Sequence, residues 1–552
     1  MRKHSKKFYL VITLCFILFW CAVLLLLEKL LVPKYQSGII EGSMIEEYYK
    51  DDTQHDVVMI GDCEVYENIS TVELWKQYGI TSYIRGSAQQ LSWQSYYLLE
   101  DTLRKETPKV VVFNVLSLKY NEPQSEAYNR MTIDGMEWSG AKTGAIKASM
   151  TEDEKFADYL FPFLRYHSRW SELEEDDFKH ILSKDNVTFN GYYMRADVRP
   201  EDEFPEPMPL TDYTLGSNAM SYLEKMKELC KDKGIRLVLV KAPTLYPHWY
   251  DQWDEQIEKY ADENGLSYIN FIGLRDEIGL DMSEDTYDAG LHLNVFGAEK
   301  LADYFGKWLV DNCGLADHRG ESKYAEHYDK LSEKYDTEKN DQLQEIEEKG
   351  KLLSHTPAEV KETNVLKNFI LLAVIAALCL TLTACGSDDS KADPVSTNDN
   401  STVSTNEEPQ SESSKPAETK DGFTLTFKGT QIALSAEMAP VVEKLGEPDK
   451  YFESESCAFQ GLDKVYTYSG VVIRTYPENN VDYVLSIELK DDMTSTEEGI
   501  SVGDSRQKVI EAYGESTEKT DISEVYSKGN SKLSFIFDSN DTVSSITYTA
   551  SV

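Results

Sequence analysis

The sequence predicts an α/β fold on a parallel sheet, followed by a smaller α+β domain of duplicated helix plus β-meander. Three observations carry this reading. Between residues 56 and 312 short apolar runs alternate with ten-to-fifteen-residue helical patterns, the order that gives βαβ units. The runs are apolar at consecutive positions, as in DVVMIGD (56–62) and KVVVFNV (109–115), which is how strands covered on both faces read. Beyond residue 421, VVEKLGEP (441–448) returns as VIEAYGES (509–516), and each copy leads into Tyr-containing strands.

Taken in order, DVVMIGD is the first strand and TVELWKQYGI (71–80) a helix. TSYIRG (81–86) is a short second strand, and LSWQSYYLLEDTLRK (91–105) is a helix with Leu91, Tyr96, Leu98, Leu99 and Leu103 on one apolar face. KVVVFNV follows Pro108 as the third strand. IRLVLVKAP (235–243), a helix over 251–263, SYINF (267–271) and a last helix over 298–309 complete the unit, whose bounds are set at 50–315. From about 120 to 215 no period is legible, and Trp138, Trp170, Tyr192 and Tyr193 stand among several prolines. This stretch reads as an insertion or lid after the third strand, where ligand sites of open parallel sheets gather. Its aromatics suit either sugar stacking or a core.

Residues 320–363 are a charged run with helical spacing, read as a solvated helical linker. From 386 to 420 Ser, Thr, Asp, Glu, Asn and Pro dominate, with no aromatic, Leu or Ile, so the segment is a disordered tether. The last domain spans 421–552. In it Val465 to Ile487 is 22 positions and Val525 to Ile546 is 21, so the sheet portions of the repeat align.

Composition excludes several functions. Lys plus Arg number 56 against 96 Asp plus Glu, a net charge of −40, which argues against a nucleic-acid partner because phosphate contacts need basic surface. Eight cysteines in 552 residues form no disulfide framework, and none is spaced as CxxC, so no structural zinc is expected. No cofactor is implied either.

Two hydrophobic segments bear on location. Residues 8–31 come after a basic tail, 1–7 (MRKHSKK), and are long enough to cross a bilayer, which would place the chain beyond residue 32 on the extracytoplasmic face. A cleaved secretory signal is the alternative. The second segment, 366–385, has an apolar run from Phe369 to Ala384 that follows Lys361 and Lys367, and it ends in Leu-Thr-Ala-Cys, with Gly386 after Cys385. It resembles a bacterial lipoprotein signal, and the resemblance implies lipidation of Cys385; an ordinary second membrane helix is the alternative. The two segments make opposing topological demands, since both basic flanks belong in the cytoplasm. The simplest resolution is that two neighbouring extracytoplasmic proteins are written as one chain. The repeat over 421–552 resembles the tandem domains of β-lactamase-inhibitor-like and small outer-membrane-assembly lipoproteins, which implies an envelope protein partner.

The chemistry lies in MIGDCEVYENIS (59–70) and TYDAGLHLNVFGAEKLADYFGKWL (286–309). Together they resemble the SGNH, or GDSL, hydrolase superfamily, especially the membrane-anchored branch related to the D-alanyl-transfer protein DltD. The resemblance covers 56–312 and implies a flavodoxin-like parallel sheet of SGNH type. It places Gly61 and Asp62 in the nucleophile motif, Cys63 at the nucleophile position, His292 as base, Asp288 as its orienting carboxylate, and Asn294 within the His-Leu-Asn block. Gly86, in YIRGSAQQ, fits the block that helps form the oxyanion hole. The asparagine of that hole is Asn114 or Asn121, neither of them in Gly-x-Asn-Asp. Asp288 precedes His292 by four residues where the family has three, which leaves Asp285 as a second choice.

Cysteine replaces the family's serine. A thiol beside a histidine is a competent acyl-transfer nucleophile. A strand-to-helix turn with its exposed N–H groups would favour thiolate, and Arg85 would assist from an adjacent second strand, while Asp62, Glu64 and Glu67 oppose it. The expected activity is a membrane-tethered acyl esterase or acyltransferase acting on cell-wall polymer or exopolysaccharide. The alternative is a catalytically degenerate scaffold that binds glycan or envelope partners.

Overall fold

The computed structural model describes residues 6–32, 44–352 and 422–551, apart from 124, 153, 172, 174–176, 178–185, 202, 456–461 and 479–480. The expected lipoprotein-like segment with Cys385 and the tether over 386–420 lie outside the described residues.

A single helix, α1 (Lys6–Leu31), opens the chain. Its Thr13–Leu31 stretch has a mean hydropathy of 2.4, and it is long and apolar enough to cross a membrane or to serve as a signal sequence. After the short α2 (Met44–Glu47) the chain enters a five-stranded sheet. Its strands are β1 (Val57–Gly61), β2 (Ser82–Gly86), β3 (Val110–Asn114), β4 (Arg236–Lys241) and β5 (Ser267–Asn270). All neighbours pair in parallel, in the order β2-β1-β3-β4-β5. This is an α/β architecture with the doubly wound 2-1-3-4-5 order, in which the direction of winding switches between β1 and β3.

Every residue of β1, β2 and β3 is buried, because helices cover both faces. One face packs Val57, Met59, Ile84, Val110 and Val112 against Val72, Leu301 and Phe305. The other packs Val58, Ile60, Val111 and Phe113 against Trp93, Leu98 and Leu223. The helices between strands carry the signals their sequence advertises. The helix α4 (Thr71–Tyr78), after the one-turn α3 (Cys63–Tyr66), is capped by Ser70 at its start and ends on Gly79, whose φ of 65° the left-handed C-cap requires.

The stretch from 120 to 215 differs from a lid. Its short helices α6 (Glu126–Ile133) and α7 (Gly140–Ser149), which follow α5 (Ser92–Lys105), contribute Ile133, Ala145 and Ile146 to one core, while Phe189, Tyr192, Tyr193 and Met194 belong to the other. Tyr192 and Tyr193 are thus core aromatics; Trp138 and Trp170 are exposed.

The charged run also departs from a solvated linker. Ser322–Lys349 is one helix, but Tyr324, Tyr328, Tyr335 and Gln342 recur on one face and are buried against the α/β unit. Tyr328 stacks on Trp75 with centroids 4.5 Å apart, and Tyr335 donates to Glu299. A mostly charged helix needs only one aromatic row to dock, and composition averages that row away.

The C-terminal unit is an eight-stranded antiparallel sheet with a separate hairpin of β6 (Thr424–Phe427) and β7 (Thr430–Ala433). Helix Ala439–Leu445 precedes the meander β8 (Lys450–Glu455), β9 (Leu462–Tyr468), β10 (Val471–Glu478) and β11 (Val481–Leu489). Helix Arg506–Tyr513 precedes β12 (Glu518–Lys519), β13 (Ser523–Lys528), β14 (Ser531–Phe537) and β15 (Val543–Ala550). β11 pairs antiparallel with β15, so the two meanders join into one sheet at their final strands.

Candidate active site

The site forms where β1 ends. Gly61 lies opposite Gly86 in the β1–β2 ladder, and a Cβ on Gly61 would stand 2.6 Å from Val65 and 2.9 Å from the Asn114 side chain. A Cβ on Gly86 would press on the Tyr66 ring and the Gly61 carbonyl. Glycine at both positions lets the chain turn sharply past the neighbouring strands. Asp62 then caps the turn, its carboxylate accepting the Glu64 N–H at 3.2 Å, and buried Cys63 opens α3. With only four residues, α3 offers the N–H groups of one turn in place of the macrodipole of a long helix.

His292 arrives from a tight loop. Ala289 and Gly290 take φ values of 65° and 85°, and Thr286 bridges to Leu293 across them. The Thr286 hydroxyl donates to the His292 carbonyl and accepts the Gly290 N–H. This reversal sets Asp288 against His292. One Asp288 oxygen lies 2.6 Å from Nδ1, and the other accepts the His292 backbone N–H at 2.7 Å. Asp285 turns elsewhere, to Lys300 at 2.6 Å and the Asp281 N–H at 2.7 Å.

The loop is tied to the turn that carries Cys63. Asn68 accepts the Leu293 N–H at 2.6 Å, and Glu67, whose N–H bonds the Cys63 carbonyl, brings its carboxylate to 3.5 Å from His292 Nδ1. Tyr287 donates its hydroxyl to that same carboxylate, stacks on the His292 ring at 6.0 Å and lies under the Arg195 guanidinium. With two carboxylates at Nδ1, the imidazole keeps its hydrogen there, which makes Nε2 the basic nitrogen.

Sequence reasoning missed the polar floor beneath this turn. Lys241, at the end of β4, is fully buried and donates to Glu64 at 2.7 Å, to Thr244 at 2.9 Å and to the Ala242 carbonyl. Asn114, at the end of β3, donates to Asp62 at 2.9 Å and Glu64 at 3.0 Å. Burial, then repulsion from Glu64, pushes the Asp62 carboxyl up to about 7. A lysine closing an otherwise apolar strand was the available signal.

Other expected residues fall differently. Asn294 caps helix Val295–Cys313, accepting from Phe296 and Gly297 N–H and donating to the Glu284 carbonyl. Asn121 accepts from Ser217 and Asn218 at an exposed turn, apart from this network. Arg85 does not assist Cys63. Its neighbour Ile84 belongs to the Cys63 side of the sheet, so alternation sends Arg85 to the opposite face, where it meets Asp101 at 3.0 Å, the Leu98 carbonyl and the Tyr48 and Tyr49 rings. Among the described residues no three His, Cys, Asp or Glu side chains converge as a metal site.

No protein-family model matches the chain, and no curated protein matches it. Among solved structures, it is similar to a GDSL-like lipase from Bacteroides thetaiotaomicron, at 14% identity and a TM-score of 0.24, over 49% of this chain and 98% of that one. It is also similar to a DUF4309 family protein from Bacillus subtilis, at 16% identity and a TM-score of 0.17, over 24% of this chain and 88% of that one. A cysteine-rich secretory protein from Staphylococcus aureus aligns at 9% identity and a TM-score of 0.17, over 21% of this chain and 44% of that protein's length. Similarities at this level leave the functional reading to the chain's own residues.

Proposed function

We propose that residues 50–315 form an extracytoplasmic, membrane-tethered acyl esterase or acyltransferase with a Cys63–His292–Asp288 triad. The carrying observation is the Asp288 carboxylate 2.6 Å from His292 Nδ1, on a loop fastened to the turn bearing Cys63. In this reading the Cys63 sulfur attacks an ester carbonyl and its proton passes to His292 Nε2. The tetrahedral oxyanion, held by N–H groups around Cys63 and Gly86, collapses, and the expelled alkoxide takes the proton from His292. Water or an acceptor hydroxyl then attacks the thioester, giving up its proton to His292, and the departing thiolate recovers it. A polymer of the cell envelope is the substrate that fits an outward, anchored enzyme, as in the DltD-like branch. The C-terminal unit serves as a binding domain for an envelope protein.

A second reading has its own support. Asp62, Glu64 and Glu67 are buried around Cys63, and negative charge on sulfur is disfavoured among carboxylates. This favours a scaffold that keeps the fold to hold a glycan. The full chain in detergent, assayed with p-nitrophenyl acetate, separates the two. Turnover that vanishes in Cys63→Ala supports the enzyme, and turnover indifferent to that change removes Cys63 as nucleophile. An immunoblot of native cells with antibodies to both halves tests whether they are one product, which would run near 63 kDa.

A further inference from the structure

We infer that the segment 156–171 of the α/β unit lies on the bilayer surface beside the anchor helix, so that the folded domain itself contacts lipid; this rests on reading α1 as a membrane anchor. The segment comprises α8 (Phe156–Leu160), α9 (Phe163–Tyr166) and a 3-10 turn, His167–Ser171. Its inner side chains, Tyr159 and Tyr166, are buried and stack on the Arg130 guanidinium. Its outer face carries four large apolar side chains beside Arg165 and His167: Leu160, Phe161, Leu164 and Trp170 are 44, 55, 50 and 65% exposed. Single exposed apolar residues are ordinary, but four large ones within eleven positions of one surface segment form a patch that water does not favour.

Position names the occupant. The patch adjoins the point where α1 ends: α9 and the 3-10 turn pack on α1, whose last residues Leu30 and Leu31 are buried, whereas Leu18, Leu24, Leu25 and Leu26 remain exposed as lipid-facing residues would. Arg169 donates to the Leu31 carbonyl at 3.3 Å, satisfying a C-terminal carbonyl of the anchor, and pairs with Asp177 at 2.7 Å. A segment fastened to the last turn of a spanning helix sits at the headgroup level. There a Trp and apolar side chains flanked by Arg165 and Arg169 match the aromatic and cationic belt of membrane interfaces.

The test uses the full chain in phosphatidylcholine vesicles with acyl chains brominated near the headgroup, on a Trp20→Phe background that removes the indole inside the anchor. Bromine quenching of the remaining fluorescence is expected, and its loss in Trp20→Phe/Trp170→Phe. Trp170 is exposed, so its replacement leaves the core intact. Equal quenching in the two variants, or none in either, overturns the inference. An alkaline wash of the same vesicles separates the two levels. Protein retained with Trp170 unquenched defeats the surface contact alone, and protein released defeats the anchor reading with it.

Discussion

Asp288 and His292, four residues apart, are joined twice: one carboxylate oxygen meets the imidazole Nδ1 and the other meets the backbone N–H of the same histidine. The four-residue separation is accommodated by the left-handed Ala289-Gly290 turn. Asp288→Asn is therefore expected to lower p-nitrophenyl acetate turnover by about 10³–10⁴-fold by presenting the wrong tautomer. Asp285→Asn, which breaks only the contacts to Lys300 and Asp281, is expected to change the rate less than about tenfold, well short of a triad loss. Comparable rate losses in both variants would unseat Asp288.

Lys241 and Glu64 form a buried ion pair under the turn. Lys241→Met strands the Glu64 carboxylate and is expected to cost about 3–5 kcal/mol of stability, while Lys241→Met/Glu64→Gln recovers most of it. Urea unfolding of the three proteins measures this. A double variant no better than the single would mean the pair is not the reason for the loss.

Asp62 supplies a pH dependence. Its folded carboxyl is raised to about 7 from an ordinary 3.8, so the folded state holds its proton through a window where the unfolded chain has released it. Its contribution to stability is full below about pH 4 and is lost as pH rises through 7. Asp62→Asn keeps the cap and removes the titration. The melting temperature of the variant relative to the native chain is expected to climb from pH 4 to above 7. A difference constant across that range would contradict it.

The docking of helix Ser322–Lys349 gives a fourth prediction. Tyr328 is fully buried, stacks on Trp75 and exchanges hydrogen bonds with the Ser82 backbone of β2. Tyr328→Ala is expected to destabilise the α/β unit by about 3–5 kcal/mol, as other buried aromatic truncations do. Protease sensitivity over 322–349 reports it. A solvated linker would show no change in global melting.

Much of this was legible locally. The apolar runs at 57–61 and 110–115 announce strands because a sheet covered on both faces leaves no polar positions to alternate. Gly61, Asp62 and Cys63 announce a turn because glycine, a capping carboxylate and a helix start follow one another. The Tyr row of 322–349 was hidden by the charges around it, and the packing of 120–215 has no period because its segments touch different faces of the sheet.

The sequence by itself therefore determined the α/β class, the internal repeat, the apolar segment at 8–31 and the identities of Cys63, Asp288 and His292 as the residues to inspect. Only the tertiary structure decided that Asp288 and not Asp285 meets the imidazole, that Arg85 faces away, and that Lys241 and Asn114 share Glu64. Those choices depend on which face of a strand a side chain occupies and on where segments 177 and 225 residues away return, as Lys241 does to Glu64 and Leu293 to Asn68. Spacing along the chain carries no information about such returns; the closure of the parallel sheet does.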